Sequence, residues 1–167
     1  MSRMATRLRN AGFATLLGLC ASSAFAQSPA EFINDASAKG MADIEASRLA
    51  HQKSESKQVK DYTIVVINDR TTANQHLAKI AKQLDLPVAP REQVVEKAKV
   101  LMPEVKEGAT FDDEYAASQV KTTQEAIEQL QQVAETTDLP QIKAFAEETL
   151  PKLHNHLQMA RALQASR

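Results

Sequence analysis

The chain has 167 residues, with 20 Lys and Arg against 21 Asp and Glu, four glycines, one cysteine and no tryptophan. No Lys/Arg cluster or aromatic platform interrupts this mixture, which argues against a nucleic-acid partner and against a basic membrane-surface helix. Scarce glycine and missing tryptophan suit a helical domain better than a sheet.

The first 26 residues read as a secretory signal. Arg3, Arg7 and Arg9 form a positive n-region, an apolar run follows from Ala11 to Cys20, and Ala24-Phe25-Ala26 places small residues where signal peptidase reads. Cleavage after Ala26 and a periplasmic location are expected. The run falls short of the roughly 20 apolar residues of a membrane span, and no second one follows, so no stable span is expected after cleavage. A lipoprotein anchored through Cys20 is the competing reading, although Leu19 stands where a small residue is expected. Residues 27–167 would then form a single domain without cysteine, carrying 17 basic and 21 acidic side chains. Without disulfides, its core must hold it together.

Four long helices and one short one are predicted. Helix one opens on a capping box, Ser28-Pro29-Ala30-Glu31, with proline in the first turn, and runs to about Ser54. Ala38, Met41, Glu45 and Leu49 trace its inward face. The polar stretch from His51 to Lys57 makes a turn. Helix two runs from Lys57 to Leu84 and is stopped by Asp85-Leu86-Pro87 and Ala89-Pro90. Residues 91–101 form a short amphipathic helix, closed by Pro103 and Gly108. Helix three starts at Thr110-Phe111-Asp112-Asp113, with the seam Ala116, Val120, Thr123, Ile127, Leu130 and Ala134. Asp138-Leu139-Pro140-Gln141 resembles a further capping box and opens helix four. The seam there is Ile142, Ala146, Thr149, Leu153, His156, Ala160 and Leu163, and Pro151 within it predicts a kink or bulge. Short turns make two antiparallel hairpins, and the longer connector joins them. The expected fold is an all-α, antiparallel four-helix bundle with ferritin-like connectivity and an extra short helix between helices two and three.

In helix two, Val66, Ala73, Leu77, Ile80 and Leu84 step by three and four along one face, and Arg70 interrupts this apolar row. A cation on a buried seam needs a partner or a route to water. Glu45, Thr123 and His156 are the polar seam residues of the other helices. These positions lie roughly 10 to 18 residues from the hairpin turns, or about 15–27 Å at helical rise, so they can occupy neighbouring layers. The preferred reading pairs Arg70 with Glu45, helped by Asp69, with Thr123 and His156 as neutral neighbours. In the alternative, Arg70 snorkels to the surface. His51 is expected in solvent, His76 at a helix boundary, and Tyr62 and Tyr115 at the core edge with their hydroxyls near water.

Several stretches resemble the bacterial family catalogued as domain of unknown function 4142. They are Glu31-Phe32, Gly40-Met41-Ala42-Asp43-Ile44-Glu45 and Arg48-Leu49-Ala50; Asp69 with Ala73-Asn74 and Leu77; Phe111-Asp112 with Tyr115; and Lys143-Ala144-Phe145-Ala146, Thr149-Leu150-Pro151-Lys152-Leu153 and His156-Leu157. The resemblance implies a ferritin-like helical bundle, export, and a setting in envelope stress. It also implies an Asp-His pair in helix two and another in helix three. Here these read Asp69-Arg70 and Thr122-Thr123, so both histidines are gone, while Glu45 and His156 remain. In relatives that keep them, one glutamate and three histidines could converge on a transition metal.

Metal chemistry is not expected in this chain. Three residues before His51, His76, His154 and His156 stand Arg48, Ala73, Pro151 and Leu153, so the Glu-x-x-His motif of di-iron bundles is absent. His154 and His156 point to different sides of a helix, and Arg70 would repel a cation. No phosphate loop, nucleophile elbow or zinc-ligand spacing occurs. The expectation is a non-enzymatic periplasmic bundle without a cofactor, with a degenerate former metal site, working on an unknown protein or small ligand. The alternative is a metal-binding or oxidoreductase ferritin-like protein.

Overall fold

A computed structural model describes residues 27–102 and 111–166. The expected signal segment with Cys20, the connector stops at Pro103 and Gly108, and the cap at Thr110 lie outside the described residues. Within them the chain is all-helical, with α1 Pro29–Lys53, α2 Lys57–Gln83, α3 Arg91–Leu101, α4 Phe111–Thr136 and α5 Pro140–Ala165. No helix among the described residues is long and apolar enough to cross a membrane.

Local chemistry sets these boundaries. Ser28 and Glu31 complete the capping box of α1, and the Ser56 side chain caps α2. At the end of α2, Asp85 adopts φ 49°, while the amides of Asp85 and Leu86 donate to the carbonyls of Lys82 and Ala81. This is a Schellman stop, with Asp in the left-handed position that glycine usually fills. The start of α5 differs from the expected capping box. Leu139 is the N-cap and has no side-chain cap bond, and Thr137 Oγ1 accepts from the Leu139 amide instead. The helix runs through Pro151 as one element. That proline and Glu147, whose carbonyl it cannot serve, are both exposed, so water can take the bond.

Helices α1 and α2 pack along each other, as do α4 and α5; α2 meets α5, α1 meets α4, and α3 lies across α1. The inward face of α1 differs from the expected one. Ala38, Ala42, Asp43, Ala46, Ser47 and Ala50 are buried, Met41 and Leu49 are half-buried, and Glu45 is exposed. Large apolar residues suggested the wrong stripe, because small residues let α1 approach its neighbours closely. At Gly40 an added Cβ would collide with the Asn74 carboxamide, which donates to the Ser37 carbonyl at 3.2 Å.

The core falls into two apolar clusters. One gathers Phe32, Leu77, Ile80, Leu130, Ile142 and Phe145, with the Phe32 and Phe145 rings edge to face at 6.4 Å. The other gathers Ala50, Val59, Tyr62, Val66, Tyr115 and Leu163. Burying each large side chain contributes about 1.5–3 kcal/mol. On all four long helices, the residues between the clusters are polar: Asp43, Arg70, Gln119 with Thr123, and His156.

Candidate functional site

Arg70 Nη2 meets Asp43 Oδ2 at 2.6 Å, and the two side chains are only 10% and 8% exposed. This replaces the expected pairing with Glu45. The Glu45 side chain is 51% exposed and holds Arg48 at 2.5 Å on the outside of the same helix. Residues two apart on a helix lie on nearly opposite sides, so Asp43 and Glu45 cannot exchange roles. Arg70 does not snorkel to the surface. Its Nε has no partner among the described residues, and a cavity of about 20 Å3, room for one water molecule, borders Arg70, Gly40, Asn74 and Phe145.

Asp69, one residue earlier, turns toward α5 and accepts from His156 Nε2 at 2.8 Å. The carboxylate only accepts, so Nε2 carries the hydrogen. His156 is 1% exposed. Burial pushes its pKa below the usual histidine value, the Asp69 hydrogen bond opposes this, and the Arg70 charge reinforces it. The ring is therefore held neutral between a carboxylate and a guanidinium.

Thr123 is buried on α4, and the Tyr62 hydroxyl donates to Gln119 Oε1 at 3.2 Å. Tyr115 shares a hydrogen bond with Ser47 at 2.8 Å. The two tyrosine rings meet edge to face at 6.1 Å. Both lie inside the core, and not at its edge as expected; burial raises both phenol pKa values above the ordinary range. Of the residues expected together, Asp69, Arg70, Thr123 and His156 share this layer and Glu45 does not. Asp43, Ser47 and Gln119 are the members that sequence reasoning missed. For Asp43 the available signal was its place on the Ala38, Ala42, Ala46 side of α1.

The remaining histidines stand apart from this layer. His51 lies in the last turn of α1 and shares a hydrogen bond with Thr63 at 2.9 Å; it is half-buried, where solvent was expected. His76 lies edge to face with Phe145 at 5.5 Å. Among the described residues, no three His, Cys, Asp or Glu side chains come together as a metal-ligating group.

A second feature is not apparent in the sequence. A cavity of about 840 Å3 opens between the outer face of α1, the second half of α2 and the connector with α3. Met41, Leu86, Val88 and Val94 contribute apolar surface, and Arg48, Lys82, Asp85 and Arg91 contribute charge. The connector is fixed in place by the Ala89 amide, which donates to Asn34 Oδ1 at 2.8 Å, and by an ion pair between Lys97 and Asp35.

Two outcomes follow from the polar layer. Asp43→Ala leaves a buried guanidinium uncompensated and should cost about 3–5 kcal/mol in urea unfolding; adding Arg70→Met should recover much of that loss. Simple addition of the two single losses would refute the coupling. The second outcome concerns pH. A histidine with a lowered folded pKa resists a proton that the unfolded chain accepts near 6.5. Its stabilisation is complete above that pH and is lost as pH falls through the folded value. The urea midpoint should therefore drop below pH 6.5, and His156→Gln should flatten the drop. Parallel pH profiles for the two proteins would count against this assignment.

The chain matches no curated protein and no solved structure. A family profile, described as Domain of unknown function (DUF4142), matches residues 14–163. That match covers most of the chain, which therefore belongs to this family.

Proposed function

We propose that this chain is an exported, non-enzymatic four-helix-bundle protein of ferritin-like connectivity that binds a small ligand beside α3. The single observation that carries this reading is the cavity of about 840 Å3 between α1, α2 and the connector. Its volume lies in the range of small-molecule sites, and its lining mixes apolar surface with a few polar groups, as such sites do. The bundle reading is supported by the pairing of the four long helices, with α3 as the extra helix of the connector. Export is supported by the Arg-rich start, the apolar run and Ala24-Phe25-Ala26. A setting in envelope stress rests on the family resemblance alone.

In this reading the polar layer is structural, a degenerate metal site in which Arg70 supplies the positive charge. Its carboxylate partner Asp43 is already committed, and His156 is committed to Asp69. A cation at the Asp69–His156 pair would face that guanidinium at close range.

Two measurements test the proposal. N-phenyl-1-naphthylamine, a neutral apolar fluorophore, should bind the purified domain. Ala78→Trp, which places a large ring on the exposed cavity wall, should weaken that binding about tenfold, or roughly 1.4 kcal/mol, at an unchanged thermal midpoint. No binding, or binding indifferent to the substitution, would remove the ligand reading. For export, intact mass of the periplasmic fraction should show a chain beginning at Gln27. A full-length mass in the cytoplasm, or a lipid on Cys20, would contradict it.

A further inference from the structure

The cavity beside α3 has an uneven charge. Its lining holds three cations, Arg48, Lys82 and Arg91, against two carboxylates, Glu45 and Asp85. Arg48 is already neutralised by Glu45 at 2.5 Å. Lys82 and Arg91 are exposed and have no ion-pair partner among the described residues, and neither has Asp85. The rim formed by the end of α2 and the start of α3 therefore carries an excess positive charge, on a chain whose formal net charge is −1. Behind it, Met41, Leu86, Val88 and Val94 are half-buried, so the interior offers apolar contact.

An apolar recess under a cationic rim is complementary to one kind of molecule. We propose that this cavity binds a single-chain anionic amphiphile, with its alkyl tail against Met41, Leu86 and Val94 and its carboxylate or phosphate head at Lys82 and Arg91. The proposal rests on the reading of the cavity as a ligand site and adds the chemical class. Arg91 can grip such a head with two parallel hydrogen bonds, and Lys82 adds a point charge. Asp85 opposes the anion. Its carboxylate sits three residues after Lys82, in a left-handed position that asparagine tolerates equally well. Its charge can therefore be removed without disturbing the end of α2.

Isothermal titration of the folded domain at low salt, with amphiphiles below their micelle concentrations, tests this. Decanoate and decyl phosphate should bind at least tenfold more tightly than 1-decanol, and decyltrimethylammonium more weakly than 1-decanol. The two anions separate a carboxylate source from a phosphate source. Shortening decanoate to octanoate should weaken binding about fifteenfold, because each buried methylene is worth about a factor of four. Lys82→Ala with Arg91→Ala should weaken decanoate about tenfold and leave 1-decanol unchanged. Asp85→Asn should tighten decanoate severalfold. Decanoate should also displace the neutral fluorophore.

Equal binding of decanoate and 1-decanol, or tighter binding of the cationic amphiphile, overturns the anionic class while the cavity remains a ligand site. Indifference of decanoate to the Lys82 and Arg91 substitutions does the same. If neither the fluorophore nor any amphiphile binds, the ligand reading fails along with the proposal.

Discussion

The Asp43–Arg70 pair stands between the two apolar clusters, and the other buried polar contacts are arranged around it. Removing two charges from water costs several kcal/mol per ion, and their attraction offsets this only when the geometry is good. Here the contact is short and the two side chains come from different helices. The net stabilisation of such a pair is small. Its cost when mismatched is large, because a slip of α1 along α2 by one turn, about 5.4 Å, would leave both charges buried and unpaired. The pair therefore acts mainly on register. On α1 most of the buried residues are small and similar, Ala38, Ala42, Ala46 and Ala50, and would tolerate several registers on packing alone.

Asp69 and His156 extend the same logic to α5. A neutral imidazole donating to a carboxylate adds no second buried cation beside Arg70. Tyr62 with Gln119 and Tyr115 with Ser47 complete the layer with uncharged hydrogen bonds, and Thr123 is buried in it, so α4 joins at no charge cost. The layer thus touches all four long helices with one full ion pair, one carboxylate bonded to a neutral ring, and hydroxyl or amide groups elsewhere. Among the described residues, Arg70 Nε and Gln119 Nε2 have no partner, and they mark where packing in the layer has not satisfied every donor.

What the sequence made legible follows from which forces act locally. Ser28 with Glu31, the prolines at 87, 90 and 140, and three-and-four spacing bound the helices, because caps and proline act within one turn. Arg70 was recognisable as a buried cation because it interrupts an otherwise apolar row. The choice between Asp43 and Glu45 was not legible in the same way. Periodicity weighted by large side chains rotated α1 toward Met41 and Leu49, whereas close approach selects alanine, serine and glycine. His156 was legible from the strong seam of α5. Tyr62 and Tyr115 were misplaced because their buried partners, Gln119 and Ser47, come from distant turns of the chain.

The cavity depends on packing that no short stretch encodes. Its α1 wall runs from Ile33 to Arg48 and its α2 wall from Thr71 to Lys82, so both walls extend along the helices that Asp43 and Arg70 align. Sliding α1 by one turn would carry Ile44 out of line with Ala78 and Lys82 and would separate Asn34 from the Ala89 amide that holds the connector. The inner face of α1 thus fixes the position of its outer face. Asn74 joins the two, since it borders both cavities and donates to the Ser37 carbonyl across the same helix pair. Burying a charge pair that contributes little net stability is consistent with this division: the pair sets the alignment, and the aligned outer surfaces form the recess.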